Sequence, residues 1–562
     1  MRSRAAHGPP GLADAQADDR GDRGLSPLEH ALSRRAWLGA AATGLAACAG
    51  VSPPPTGVSE PGHLQPEDAP PPVLREFRAA WVATVAHIDW PSRRGLTAAQ
   101  QRAEMMDLLD RAQATGLNAL VLQVRPSADA IYPSALEPWS EYLTGASGRP
   151  PDVPWDPLAE WVEQSHRRGM ELHAWFNPYR ARHGSALSPP APGHVAVAEA
   201  GLVRRYGDLL WLDPGEPRAA QRMVDVVLDV VQRYDIDGVH LDDYFYPYPV
   251  KGAEGRELPF PDDASWRAAG GGAETAVGDG PSPERAAWRR RQVDSLIERL
   301  YAAVHVAKPW VRVGISPFGL PRPDRRPPGI TGFSQYDKLH ADVERWLSEG
   351  WLDYLAPQLY WPIGQAAQAF PVLLDAWRRD NALGRHLWPG LFTSRIGDAQ
   401  RPYPPEEVLA QIEAVRDRAE RDSTVRGHLH FSMAALAGDR AGIARRLRAG
   451  PYAQTALPPA TPWLAEPPPG APRLEALEPG AHGEVRIRWR EPTGGPPWRH
   501  AVLQQRVGGQ WQTQHLPVPG ERSAALQAQA DRADVRAVGL TGVEGPALRL
   551  ARGPSGAWQP QP

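Results

Sequence analysis

The feature that most constrains this chain is an alternation. Between residues 76 and 450, short apolar runs lie at 77–85, 119–126, 170–178, 238–245, 312–319, 354–361, 386–394 and 427–435. Between them, segments with helical spacing occupy 97–115, 156–168, 217–233, 286–307, 336–349 and 405–420. Short apolar runs bounded by turn formers read as buried strands, and apolar residues recurring every three or four positions read as amphipathic helices. Eight β-then-α units in succession predict an α/β fold, a (β/α)8 TIM barrel over residues 75–450. An open doubly wound sheet is the competing architecture, but no glycine-rich phosphate loop follows the first strand.

Successive strand side chains point to opposite faces, so parity separates the lumen from the helix layer. Leu120, Leu122 and Val124 oppose Gln123 and Arg125; Leu172, Ala174 and Phe176 oppose His173, Trp175 and Asn177. Val239 and Leu241 oppose His240 and Asp242, Leu355 and Leu359 oppose Gln358 and Tyr360, and Leu429 and Phe431 oppose His430 and Ser432. The polar face belongs to the lumen. An ordinary barrel lumen is packed with Val, Ile and Leu, so polarity rising toward the C-terminal strand ends predicts a site there.

Acids occur at only some of those ends. Asp89 follows the first strand, Asp129 and then Glu137 follow the second, and Asp242-Asp243 closes the fourth. Parity sends Asp242 into the mouth and Asp243 the other way, toward a loop or helix, unless the strand has already ended there. Rings, amides and Arg crowd the same loops: Trp90, Tyr132, Trp175, Asn177, Tyr179, Arg180, Tyr244, Tyr246, Gln358, Tyr360 and Trp361. Ring faces stack on sugar C–H surfaces while amides and Arg bond hydroxyls. Glycoside hydrolysis needs two carboxyl groups, one protonated and one ionised. Asp242 is expected in the ionised role, with the proton coming from Asp89, Asp129 or Glu137. The expected substrate contacts are Gln123, Arg125, Tyr132, Trp175, Asn177, Tyr179, Arg180, His240, Asp243, Tyr246, Gln358, Tyr360 and Trp361.

Composition trims the alternatives. The 62 Lys+Arg and 65 Asp+Glu leave a net charge of −3, which excludes a strongly basic nucleic-acid surface. A single cysteine excludes an intrachain disulfide, a Cys-rich zinc site and a Cys-ligated iron–sulfur cluster; no cofactor is expected. The 21 tryptophans suit carbohydrate-facing surfaces.

Several motifs, in order along the barrel region, resemble the glycosyl-hydrolase-like 10 family of bacterial envelope lipoproteins. They are Phe77-Arg78-Ala79-Ala80-Trp81 with Ile88-Asp89-Trp90-Pro91, Gln123-Val124-Arg125-Pro126 with Asp129-Ala130-Ile131-Tyr132-Pro133-Ser134, and Trp175-Phe176-Asn177-Pro178-Tyr179-Arg180. Asp237-Gly238-Val239-His240-Leu241-Asp242-Asp243-Tyr244, Gly314-Ile315-Ser316-Pro317-Phe318-Gly319 and Ala356-Pro357-Gln358-Leu359-Tyr360-Trp361 continue the series. The resemblance implies a TIM-barrel hydrolase of envelope glycans, with peptidoglycan strands stripped of stem peptides as the target. The fourth-strand motif is also similar, remotely, to the chitinase pattern of spaced acids. Here His240 and Tyr244 stand at two of the acid positions, which speaks against a chitinase-like mechanism.

The flanks read differently. Arg34-Arg35 precedes an apolar run at 37–47 that ends at Cys48. The run is far shorter than the roughly 20 residues needed to span a bilayer, so 1–48 is expected to be a twin-arginine and lipoprotein signal with an N-terminal extension, lipidated at Cys48. Residues 49–74 form a Pro-rich spacer. A linker at 451–473 leads to alternating segments at 484–489, 501–507 and 534–538, expected to form a small β-sandwich of fibronectin type III kind over 474–552. The connection 251–283 is expected to be a flexible loop covering the mouth.

The expected function is a glycosidase acting on envelope glycan, held at a membrane facing the periplasm by its lipid anchor alone. Its expected partners are the polysaccharide and divisome or other envelope proteins, with no nucleic acid. Two alternatives stand beside it. One is a glycan-binding scaffold without catalysis; the other is a metal-dependent hydrolase or deacetylase in which His173, His240 and His430 converge with Asp242.

Overall fold

The computed structural model describes residues 69–272, 280–518 and 522–561. The expected signal, Cys48 and the spacer up to residue 68 lie outside the described residues. No helix among the described residues is long and apolar enough to cross a membrane.

A curled parallel sheet of nine strands forms the centre. In chain order these are β1 (Phe77–Val82), β2 (Ala119–Arg125), β3 (Glu171–Phe176), β4 (Gly238–Leu241), β5 (Arg312–Ile315), β6 (Tyr354–Leu355), β7 (His386–Leu387), β8 (Gly390–Leu391) and β9 (Gly427–His430). Their spatial order is β7-β6-β5-β4-β3-β2-β1-β9-β8. β7 and β8 stand at opposite margins of that order, yet only Trp388 and Pro389 separate them in the chain. On one margin the Trp388 N–H donates to the Leu355 carbonyl and the Gly390 N–H to that of Pro357; on the other the Leu429 N–H donates to Pro389 and the Phe431 N–H to Leu391. One stretch therefore bonds to both margins, and the sheet is barrel-like. The predicted strand 386–394 is broken because Pro389 has no N–H to give the ladder.

Helices lie outside the sheet, and local sequence starts them where expected. Thr97 and Gln100 form a capping box before Ala98–Thr115, Asp156 caps Pro157–Arg167, and Ser282 caps Pro283–Ala307. The predicted helix 336–349 is two, Gln335–Lys338 and Val343–Glu349; His340 turns the chain at φ 51° and Asp342 caps the second. A helix over Phe370–Asp380 has no predicted counterpart, since Pro371 reads as a breaker although the first helical turn does not need its N–H.

Large rings cross the lumen because two strand positions are glycine. A Cβ on Gly238 would stand 2.5 Å from His173, and one on Gly314 would stand 1.9 Å from the Tyr354 ring. The rings form a hydrogen-bonded column. The Trp81 indole can only donate, and it lies 3.1 Å from His240 Nε2. That nitrogen accepts, so the His240 Nδ1–H donates to the Tyr354 hydroxyl at 2.9 Å. The Tyr354 hydroxyl donates to His173 Nδ1 at 2.8 Å, and the His173 Nε2–H donates to Glu171 at 3.1 Å. Arg312 holds Glu171 at 2.8 Å and donates to Thr461 at 2.7 Å. This column is thus a hydrogen-bonded polar core, and its polarity, predicted to mark a site, is structural. Only the upper rungs serve the mouth.

Residues 451–464 run beneath the barrel-like sheet, where Tyr452 bridges His428 and His430 and the Trp463 indole donates to Asp353 at 2.8 Å. Beyond them stand two antiparallel sheets. One orders Arg473–Pro479, Val485–Arg490 and Ser523–Leu526; the other orders Gln510–Pro517, Trp498–Val507, Ala530–Gly539, Leu548–Arg552 and Trp558–Gln561. Ile487 and Trp489 of the first share one core with Leu503, Val535 and Leu550 of the second. Arg499 joins this unit to the start of β4, donating to Asp235 at 2.9 Å and pairing with Asp237 at 3.0 Å. The unit therefore docks on the end of the sheet opposite the mouth.

Candidate active site

β4 carries His240 on the lumen side and stops at Leu241. Asp242 stays on the lumen parity and is 3% exposed. Its Oδ2 accepts the Trp175 indole N–H at 2.9 Å and the Asn177 amide at 3.1 Å, both from the end of β3. Its Oδ1 is buried and has no hydrogen-bond partner. Burial, reinforced by the neighbouring charge of Asp243 and opposed by Arg180 and the Trp175 bond, pushes the Asp242 carboxyl up to about 7.

Asp243 departs from the parity expectation because the strand has already ended. It is 2% exposed and accepts the Tyr248 hydroxyl. Burial pushes it up to about 6, with Tyr248, Gln358 and Arg180 holding it back. Two adjacent carboxyls therefore occupy the mouth, each pushed above the ordinary carboxylate value by burial. Gln358 is fixed by donating to the Ser316 carbonyl at 2.9 Å. Arg180 stacks its guanidinium over Tyr244, 4.8 Å from the ring centre, and donates to the Pro126 carbonyl at 3.0 Å.

The opposite side of the mouth is aromatic. Tyr360 faces Phe392 at 4.6 Å and Phe431 at 5.8 Å. Trp361 meets Phe318 at 5.4 Å, and Phe333 stacks on Tyr248 at 5.3 Å. Carboxyls and an amide from the ends of β3 and β4 thus share the mouth with rings that follow β5, β6, β8 and β9, a combination that suits a sugar with distinct polar edges and apolar faces. Tyr248, Phe333 and Phe392 carry no sequence expectation, Phe318 enters only as part of a motif, and Phe431, expected by parity on the helix side, meets Tyr360 because the strand has ended at His430. Tyr248 continues the aromatic run after Asp243 and was open to discovery; Phe333 sits in a loop with no pattern to single it out.

Other expected site residues are committed elsewhere. Asp89 accepts the Ala83 and Ala434 N–H groups and the Ser432 hydroxyl, pinning the first loop to the start of the helix Met433–Ala437. Asp129 accepts the Ser127 N–H, and burial raises it to about 6 while Ser140 holds it back. Glu137, a candidate proton donor, is locked bidentate to Arg125 at 2.6 and 2.8 Å with both side chains fully buried. Arg125 therefore braces a loop instead of meeting a substrate. Gln123 accepts from Thr84 and Val85 N–H. Tyr132 packs edge-on against Tyr234, Trp90 packs on Trp155 and Trp161, and Tyr179 is fully buried. Tyr246 packs against Phe260 and His340. The expected cover loop is pinned in its described part, where Asp262 binds Arg285 and Arg289.

The histidines do not converge on Asp242. His240 and His173 spend their ring nitrogens in the column, and His430 bonds Thr393 and Tyr452. Burial pushes His240 and His430 well below the ordinary imidazole value, so both are neutral. Among the described residues no group of three His, Cys, Asp or Glu is placed to hold a metal ion.

Comparison with known proteins finds the following likenesses. A family model described as Glycosyl hydrolase-like 10 matches residues 76–404. Glycosyl hydrolase YngK of Bacillus subtilis is 40% identical over 419 residues, covering 73% of this chain and 78% of that protein. Glycosyl hydrolase DigH of Escherichia coli K12 is 34% identical, covering 70% of this chain and 90% of that one. Among solved structures, the glycoside hydrolase domain of PgaB (BpsB) from Bordetella bronchiseptica covers 67% of this chain and 98% of that chain, at 15% identity and a TM-score of 0.44.

Proposed function

The chain belongs to the glycosyl hydrolase-like 10 family, and from that premise we propose that it cleaves envelope glycan strands, with peptidoglycan lacking stem peptides as its substrate. The observation that carries the reading is Asp242: a buried carboxyl, gripped through one oxygen by Trp175 and Asn177, with its second oxygen unpartnered. Its raised pKa suits a proton donor to a leaving glycosidic oxygen. Asp243, whose carboxylate form the Tyr248 hydroxyl favours, supplies the negative charge that an oxocarbenium-like transition state needs. This reverses the role expected for Asp242 from sequence and replaces Asp89, Asp129 and Glu137 by its neighbour. The aromatic wall supports sugar as the substrate class.

The test is to incubate the purified protein with peptide-free glycan strands between pH 5 and 8 and to size the products by mass spectrometry. Shortening that Asp242→Asn abolishes is expected. Strands left intact by the wild type at every pH would refute hydrolysis, and binding without shortening would establish the scaffold in its place. The curled sheet is read as a (β/α)8 barrel and the terminal sheets as a fibronectin type III-like sandwich. Export and lipid attachment at Cys48 complete the proposal. Membrane fractions should contain the wild type and lose Cys48→Ser.

A further inference from the structure

Eight arginines are buried among the described residues, and seven of them pair with a carboxylate. Arg180 is the exception. It is 3% exposed and forms no ion pair among the described residues; its neighbours are the Pro126 carbonyl and Tyr244. The nearby acids are engaged otherwise. Asp242 spends Oδ2 on Trp175 and Asn177, and Asp243 accepts Tyr248. A desolvated guanidinium without a contacting anion is costly, and its planar fork matches a carboxylate.

We propose that Arg180 is a specificity residue that pairs with a carboxylate carried by the sugar beside the scissile bond. This rests on the glycan-hydrolase reading above and refines its substrate. In peptidoglycan, the lactyl side chain of the muramic residue ends in an amide while the stem peptide is attached. It ends in a carboxylate once that peptide has been removed. The same fork therefore sorts bare strands from peptide-bearing ones by charge. A carboxylate bound there also places negative charge near Asp242, which favours the protonated form that the proton donor must have.

The test uses one glycan preparation in two forms: peptide-free strands with free lactyl carboxylates, and the same strands after carbodiimide coupling to methylamine, which makes each carboxylate a neutral amide. The purified wild type should cleave the acidic strands about tenfold to hundredfold more efficiently than the amidated ones, the worth of a charge-assisted contact. Arg180→Gln should lower kcat/KM on the acidic form and bring the ratio between the two forms close to one. A residue acting only through Asp242 would slow both forms alike and leave the ratio unchanged. Equal cleavage of both forms by the wild type overturns the proposal while leaving the hydrolase reading intact, and needs no variant. Arg180-dependent binding of acidic strands without cleavage overturns the hydrolase reading and supports the carboxylate contact. No binding and no cleavage of either form overturns both.

Discussion

Replacing Asp242 by Asn should stabilise the protein, and only above acidic pH. The substitution removes a buried charge without removing its hydrogen bonds. Both donors, Trp175 and Asn177, point at Oδ2, and Oδ1 is unpartnered. An asparagine that sets its carbonyl oxygen at the first position keeps both of those bonds. The folded carboxyl is raised from 3.8 to about 7. Below pH 3.8 both the folded and unfolded forms hold the proton, and the variant gains nothing. Between about 4 and 7 the unfolded chain releases the proton while the folded protein keeps it, so wild-type stability falls with rising pH. Above about 7 the loss is complete, and at roughly 1.36 kcal/mol per pH unit it amounts to about 4 kcal/mol. Relaxation and water entry reduce this, so a gain of about 2–4 kcal/mol is expected for Asp242→Asn at pH 8. Urea denaturation of both proteins from pH 4 to 8 measures it. A difference that does not change with pH, or a variant less stable than wild type at pH 8, would show that burial of this carboxyl has been misread.

Tyr248→Phe removes the donor that favours ionised Asp243. The acid limb of the kcat/KM profile should move to higher pH, and an unmoved limb would separate Asp243 from catalysis. Tyr354→Phe strands Nδ1 of both His173 and His240; a loss of about 2–4 kcal/mol in denaturation is expected, since each buried unsatisfied group costs about 1–3 kcal/mol. A loss under about 1 kcal/mol would mean that the column is dispensable. Arg499→Ala leaves Asp237 buried without its guanidinium, which should cost about 3–5 kcal/mol and make residues 451–473 open to limited proteolysis. Unchanged protease resistance would contradict docking through that pair.

The alternation of apolar runs was enough to place eight strand regions, one of which the structure divides into β7 and β8, and most of the longer helices, because the periods of strand and helix are local properties of a chain. Parity likewise put Asp242, Trp175 and Asn177 on one face, since the pleat repeats every two residues wherever the strand continues. It failed at Asp243 for the complementary reason: the strand stops at Leu241, and no local pattern announced that end. What sequence could not decide was which polar groups would be satisfied. His173 and His240 meet through Tyr354, which is 181 and 114 residues away from them along the chain, and Glu137 is consumed by Arg125 at the end of the strand before its own loop. A hydrogen bond or ion pair depends on distances of a few ångströms, and only the folded sheet brings those partners together. Tertiary structure therefore turned a polar lumen into a hydrogen-bonded column and, among the described residues, left Oδ1 of Asp242 without a hydrogen-bond partner and Arg180 without an ion pair at its top.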